Sequence, residues 1–260
     1  MAKLQDLFAQ ARRAQSSSGI GFLGKNRIES KPHAAALVVE FPTISAGGAE
    51  AALKAGADGL LFTWDGKDNT LFETLKREIE AAKASSENLV SGLRITGNLN
   101  KLDRDSLSHI KDQGISFVIL PFEAPAHLLT LEKKELEKVV TVPLRTEETY
   151  PELLRNIMGL NGVTAVSLDF SLNSLGALTI EELLNYRAVR EAARFPAFVQ
   201  AKGELSEADV YNLSLLGIQA VILTASSSSE QTEQHIKALR QLLEKLEQEE
   251  KENSPAFLPR

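Results

Sequence analysis

The chain has 260 residues, 43% of them apolar and 25% charged, with a net charge of −6 at pH 7 and no cysteine. That length suits one large α/β barrel or two ordinary domains. The acidic balance argues against nucleic-acid binding, which needs a basic surface, and the lack of cysteine excludes disulfides, thiolate metal sites and a cysteine nucleophile.

In chain order, Lys3 to Gln15 places Leu4, Leu7, Phe8 and Ala11 at helical spacing. Residues 1–30 are read as this helix and a connector holding Gly19, Gly21 and Gly24 in the spacing G-x-G-x-x-G. A dinucleotide-binding turn follows a strand, opens a helix and has an acidic residue about twenty positions on. Here a helix precedes the glycines, and Glu40 ends the next strand with no helix between. The glycines are therefore read as a connector.

Residues 31–250 alternate β-rich runs with amphipathic stretches. The runs are Ala36 to Phe41, Gly59 to Asp65, Val90 to Thr96, Phe117 to Glu123, Val140 to Thr146, Thr164 to Phe170, Ala197 to Gly203 and Ala220 to Ser226. A helical pattern follows each. Thr179 with Glu182 reads as a capping box, Pro151 suits a first helical turn, and glycines stop several helices. Eight such units without a composition break predict a single closed (β/α)8 TIM barrel with an additional N-terminal helix; an open doubly wound sheet is the alternative. The longest apolar runs are strand-sized, so no membrane span is expected. The opening residues lack the apolar core of a signal peptide, and a cytoplasmic protein is the expectation. Residues 251–260 form a charged end followed by Pro-Ala-Phe-Leu-Pro-Arg, read as a disordered tail or one that reaches a neighbouring subunit of a homo-oligomer.

Within the strands one parity is uniformly apolar, for example Val39, Phe62, Leu93, Val118, Leu168 and Val221, as befits the face that helices cover. The other parity turns polar toward the C-terminal end of each strand. It carries Glu40, Thr63, Asp65, Gly92, Arg94, Glu123, Arg145, Ser167, Asp169, Gln200, Lys202, Thr224 and Ser226. In barrels the ligand sits at this end, where the βα loops gather. Arg94 and Arg145 are therefore candidate clamps for a carboxylate or phosphate. Glu40 and Asp169 are candidate general acids or bases, and Lys202 is an electrostatic contact or a Schiff-base amine. The competing reading is a salt-bridge network that satisfies itself. Glu123, Gln200, Gly203, Thr224, Ser226 and Ser227 complete the expected binding set. No cofactor is predicted, although Glu40, Glu123 and Asp169 offer the oxygen ligands that magnesium prefers.

The run Ser226 to Ser229 before Glu230 offers N–H and hydroxyl donors at a helix N-terminus, or simply an N-cap. Of the four histidines, His33, His109 and His235 lie away from the mouth or in helical patterns, and only His127 is expected on the site side. Asp169 to Glu182 is the longest loop-like stretch there, read as a lid or as a linker without a gating role.

Gly203, Asp209, Gly217 and the strand from Ala220, with the cadence of "GGAEAALKAGADGLLF", resemble the phosphate-binding barrels of ribulose-phosphate and indole-3-glycerol-phosphate chemistry. The N-terminal helix is similar to the extra helix of the indole-3-glycerol-phosphate synthases. The resemblance implies a TIM barrel that binds phosphate near its last two strands. It does not extend to the synthases' catalytic lysines: Pro42 stands where one would fall, "GLRITG" holds no counterpart of the other, and Thr224 replaces an expected glycine. The expected function is a lyase or isomerase acting on a small anionic metabolite. The alternative is a non-catalytic barrel that binds a metabolite or serves in an assembly.

Overall fold

The computed structural model describes residues 4–9 and 35–253, apart from 69, 87, 132–135, 146, 148, 171–174 and 202. Eight parallel strands close into a barrel in sequence order. They are β1 (Ala36–Phe41), β2 (Gly59–Trp64), β3 (Val90–Ile95), β4 (Phe117–Leu120), β5 (Glu137–Pro143), β6 (Val163–Asp169), β7 (Ala197–Ala201) and β8 (Ala220–Thr224). Residues 4–9 form helix α1. Outside the barrel run α2 (Gly48–Ala55), α3 (Leu71–Ser85), α4 (Arg104–Asp112), α5 (Tyr150–Arg155), α6 (Ile180–Ala193), α7 (Glu207–Leu215) and α8 (Ser229–Asn253). The TIM-barrel expectation holds.

Strand alternation sorts the apolar residues into two cores. The outward parity, including Val39, Phe62, Leu93, Val118, Leu168 and Val221, packs against the helices. The inward parity, including Val38, Leu61, Phe117, Ile119, Val139, Ala165, Phe198 and Ile222, fills the barrel axis. One position there requires glycine. A Cβ on Gly92 would lie 2.2 Å from the ring of its register partner Phe117, so its absence lets that ring occupy the axis. Phe117 stacks on Phe198 with centroids 5.9 Å apart, and Phe8 of α1 meets Phe198 at 5.2 Å.

Helix α1 is therefore the plug of the barrel's N-terminal end. Leu4, Leu7 and Phe8 belong to the inner core, and the Leu4 N–H donates to Glu137 Oε2 at 2.7 Å, at the start of β5. The apolar spacing of this segment is thus explained by burial against the strands. The connector glycines and His33 lie outside the described residues.

Several boundaries differ from the sequence pattern. β4 ends at Leu120, before Pro121, which has no N–H to donate to a ladder. β5 begins at Glu137 and ends at Pro143. Its polar opening conceals it in sequence, yet Lys138 is fully buried and its Nζ donates to the Leu131 carbonyl. Among the described residues the connection from β4 to β5 carries a five-residue 3-10 turn, Ala126–Thr130, in place of a full helix. The expected capping box at Thr179 and Glu182 is present, and Ser206 with Asp209 forms a second.

The plug yields a direct expectation. Leu7→Ala removes a fully buried side chain from a closed interior that cannot collapse freely, so urea unfolding will show a loss of about 2–5 kcal/mol. A loss below about 1 kcal/mol would mean that α1 contributes little to the inner core.

Candidate functional site

The inward parity turns from apolar to polar within one step along the strands. Below the mouth stand Val38, Leu61, Ile119 and Ile222; above them stand Glu40 of β1, Thr63 of β2, Arg94 of β3, Gln200 of β7 and Thr224 of β8. Register brings these residues together: Glu40 pairs with Thr224 across β1 and β8, and Thr63 with Arg94 across β2 and β3.

They form one hydrogen-bonded network. Arg94 Nε donates to Glu40 Oε1, and Arg94 Nη2 donates to Gln200 Oε1 at 2.7 Å. Gln200 Nε2 donates to Glu40 Oε2 at 2.5 Å and to Thr224 Oγ1 at 2.7 Å. Thr63 Oγ1 reaches Glu40 Oε1 at 3.3 Å. The Gln200 amide is thereby fixed in orientation, its oxygen toward the guanidinium and its nitrogen toward the carboxylate. Glu40 is 5% exposed, and the Arg94 side chain 20%. The two bonds from Arg94 use two of the five N–H groups of a guanidinium.

Sequence reasoning picked Glu40, Arg94, Gln200 and Thr224, and the structure brings these four together. It passed over Thr63 as a site residue, although its inward parity and its register with Arg94 were the available signal.

The remaining candidates fall elsewhere. Arg145 lies beyond the end of β5 and is exposed, with its guanidinium carbon 5.9 Å from the Phe122 ring centroid and 5.4 Å from that of Tyr150. Its recorded contacts are thus cation–π contacts in the outer shell. Glu123 lies in the turn after β4 and is exposed. Burial pushes the Tyr150 phenol above its ordinary range; Arg145 opposes this, and Glu147 and Glu123 add to it. Arg145 and Glu123 both lie beyond the strand ends, because β4 and β5 stop about three residues earlier than the apolar pattern suggests. Asp65, just past β2, caps a turn by accepting from the Lys67 and Asp68 N–H groups at 2.9 and 3.2 Å, bonds that hold its carboxyl below the usual range.

Asp169 is the last residue of β6 and is exposed at the rim. Lys202 lies outside the described residues. Gly203 has φ +82°, the left-handed region that suits glycine in the turn from β7 to α7. Beside it Glu204 meets His235 of α8, with Nε2 3.2 Å from Oε1. The Ser226 N–H donates to Thr232 Oγ1 at 3.0 Å, and Thr232 N–H to the Ser228 carbonyl at 3.1 Å. The serine run is thereby tied into the first turn of α8, with Ser227 exposed at its edge.

His127 is exposed in the 3-10 turn after β4. Of the expected lid, residues 171–174 lie outside the described residues, while the part that follows is anchored. Asp209 Oδ1 accepts the Gly176 N–H at 2.6 Å, and Asn212 Nδ2 donates to the Leu175 carbonyl at 2.7 Å. Among the described residues no three His, Asp or Glu side chains gather as a metal centre, so Glu40, Glu123 and Asp169 do not form the carboxylate cluster expected for magnesium. No described helix is long and apolar enough to cross a membrane.

No protein-family model matches the sequence, and no curated protein matches it. Solved structures do match in fold. A Mycobacterium tuberculosis tryptophan synthase structure aligns with a TM-score of 0.61 at 16% identity, covering 94% of this chain and 99% of that one. Phosphoribosyl anthranilate isomerase from Thermus thermophilus aligns at 0.59 and 14%, over 80% and 98%. The HpcH/HpaI aldolase of Desulfitobacterium hafniense aligns at 0.54 and 14%, over 86% and 96%. At such identities the likeness is one of fold: a TIM barrel among TIM-barrel enzymes.

The network generates a test of its own. Arg94→Met leaves the buried Glu40 carboxylate without its cation and is expected to cost about 3–5 kcal/mol in chemical denaturation. The double variant Glu40→Leu with Arg94→Met removes both charges and is expected to recover most of that loss. Additive losses in the double variant would show that the two side chains are not coupled.

Proposed function

We propose that this protein is a lyase or isomerase that takes a small phosphate- or carboxylate-bearing metabolite at the C-terminal mouth of its barrel. The observation that supports this most is the buried charged network that strands from both sides of β1 contribute to at that mouth. A buried ion pair is seldom more stable than well-packed apolar groups of the same volume. The layer beneath shows that this barrel fills its axis with Val, Leu and Ile where only packing is needed. A charged layer placed where barrels hold their ligands is explained by recognition.

In this reading Arg94 is the anion anchor. Glu40 and Gln200 hold its guanidinium in one orientation, so its other N–H groups are preorganised for two oxygens of the substrate. Glu40 and Asp169 are the candidate proton carriers, with Lys202 as a third. Gly203, Ser226 and Ser227 lie on the loops after β7 and β8, and the Gly203 and Ser227 backbone and the Ser226 hydroxyl extend the anion site toward the rim. Arg145 and Glu123 contribute at the loop edge above Tyr150. The structural neighbours support the class only through their own chemistries: one is an isomerase, one an aldolase and one a tryptophan synthase.

One observation favours a second reading. Arg94, Glu40 and Gln200 satisfy one another, as they would in a non-catalytic barrel that serves as a binding or assembly subunit.

A thermal-shift screen against phosphorylated and carboxylated metabolites separates the two. The enzyme reading expects selective stabilisation by a subset of anions, about 2.7 kcal/mol when the ligand stands at a hundred times its Kd. It expects that stabilisation to vanish in Arg94→Ala and to weaken in Gln200→Ala. No shift with any anion, in protein that is otherwise folded, would favour the second reading.

A further inference from the structure

The barrel wall is not uniform. The large hydrophobic side chains that stand exposed among the described residues are Leu153, Leu160, Ile180, Leu184, Tyr211 and Leu215, with exposures of 42% to 78%. They lie on α5, just past the 3-10 turn that follows it (Leu160), on α6 and on α7, which are consecutive around the barrel. On α6, Ile180 and Leu184 are four residues apart, and on α7 so are Tyr211 and Leu215, so each helix turns an apolar stripe outward. Helices α2, α3, α4 and α8 expose no such residue among those described. Single exposed apolar residues are ordinary, whereas a one-sided set on neighbouring helices marks an interaction face.

The edge of this face is concave. Beside the 3-10 turn of the β4–β5 connection, a cleft of about 340 Å3 opens between that turn and α5, lined by Phe122, Pro125, Leu129, Ile157 and the exposed Leu153 and Leu160. Two of the exposed leucines, Leu153 and Leu160, line this recess, so the apolar face continues into it at α5.

The charges select the same occupant. On α5, Glu152 and Arg155 flank Leu153, and both are exposed. On α6, Arg187 is engaged within its own helix, its Nε donating to Glu191 Oε1 at 2.8 Å, so Ile180 and Leu184 are what this helix offers a partner. A two-fold axis running across the helices lays each helix antiparallel to its own copy. Acidic Glu152 then faces basic Arg155 of the second copy, and Arg155 faces Glu152. In a chain of net charge −6, such local matching offsets the repulsion between like molecules.

We infer that the α5–α6–α7 face is the interface of a homodimer with antiparallel two-fold geometry, in which the exposed apolar side chains of each helix pack on those of its own copy. Sedimentation equilibrium across the micromolar range is expected to give about twice the chain mass of 28.4 kDa. The single variants Ile180→Glu and Leu184→Glu change exposed positions, so near-native circular dichroism and melting are expected, with dimer dissociation raised at least tenfold. Arg155→Glu is expected to weaken the dimer, and the charge-swapped pair Glu152→Arg with Arg155→Glu to restore it, since the swap preserves matching only against an antiparallel copy of itself. A wild-type chain that stays monomeric throughout would overturn the inference and assign the face to a different partner. A dimer that both glutamate variants leave intact would overturn it by placing the interface elsewhere. Failure of the charge swap to restore a dimer weakened by Arg155→Glu would overturn the antiparallel geometry.

Discussion

Eight parallel strands can close only if their inward side chains fill the space they enclose, and every notable feature of this molecule follows from how that space is filled. At the N-terminal end the strands cannot fill it alone, and α1 supplies Leu4, Leu7 and Phe8. In the middle, Phe117 and Phe198 stack across the axis, which is why Gly92 can have no side chain. At the C-terminal end the filling changes character, from methyl groups to Glu40, Arg94 and Gln200. A closed interior thus carries an apolar plug at one end and a charged layer at the other.

The charged layer owes its geometry to register. Strands β1, β2, β3, β7 and β8 are contiguous around the closed sheet, and their staggered pairing brings Glu40, Thr63, Arg94, Gln200 and Thr224 within bonding reach. Strands β4 to β6 contribute to the rim differently. β4 and β5 end early, so Glu123 and Arg145 lie on loops, with the Arg145 guanidinium against Phe122 and Tyr150. The Glu40–Arg94–Gln200 network thus stands on the β7–β3 side of the mouth. The apolar cleft on the outer wall opens beside the end of β4 and the 3-10 turn that follows it.

Much of this was legible in the residues. Period-two alternation separated the inner core from the outer one, since the helix-covered parity is apolar apart from Ser91 and Lys138 near the strand starts, and it placed Glu40, Arg94, Gln200 and Thr224 on one surface. What escaped was set by tertiary context. The run "FVILPFE" looks like one long strand, but Pro121 cannot continue a ladder. The opening of β5, Glu137 and Lys138, reads as loop because its charges are satisfied by backbone groups that no strand pattern shows, the Leu4 N–H 133 positions away and the Leu131 carbonyl. Periodicity showed α1 as a helix and said nothing of what it packs on. The anchoring of Gly176 by Asp209 depends on a contact across 33 positions that no local pattern carries.

The central claim is that Arg94 is held in place for an anion rather than merely neutralised by Glu40. The most direct measurement is nitrogen-detected NMR of the arginine Nε–H resonances, with the Arg94 signal assigned by its loss in Arg94→Lys, during titration with inorganic phosphate and with small phosphorylated and carboxylated metabolites. The account predicts a saturable shift of the Arg94 resonance for at least one of these anions. An Arg94 resonance that stays fixed through every titration, while the protein remains folded, would contradict it.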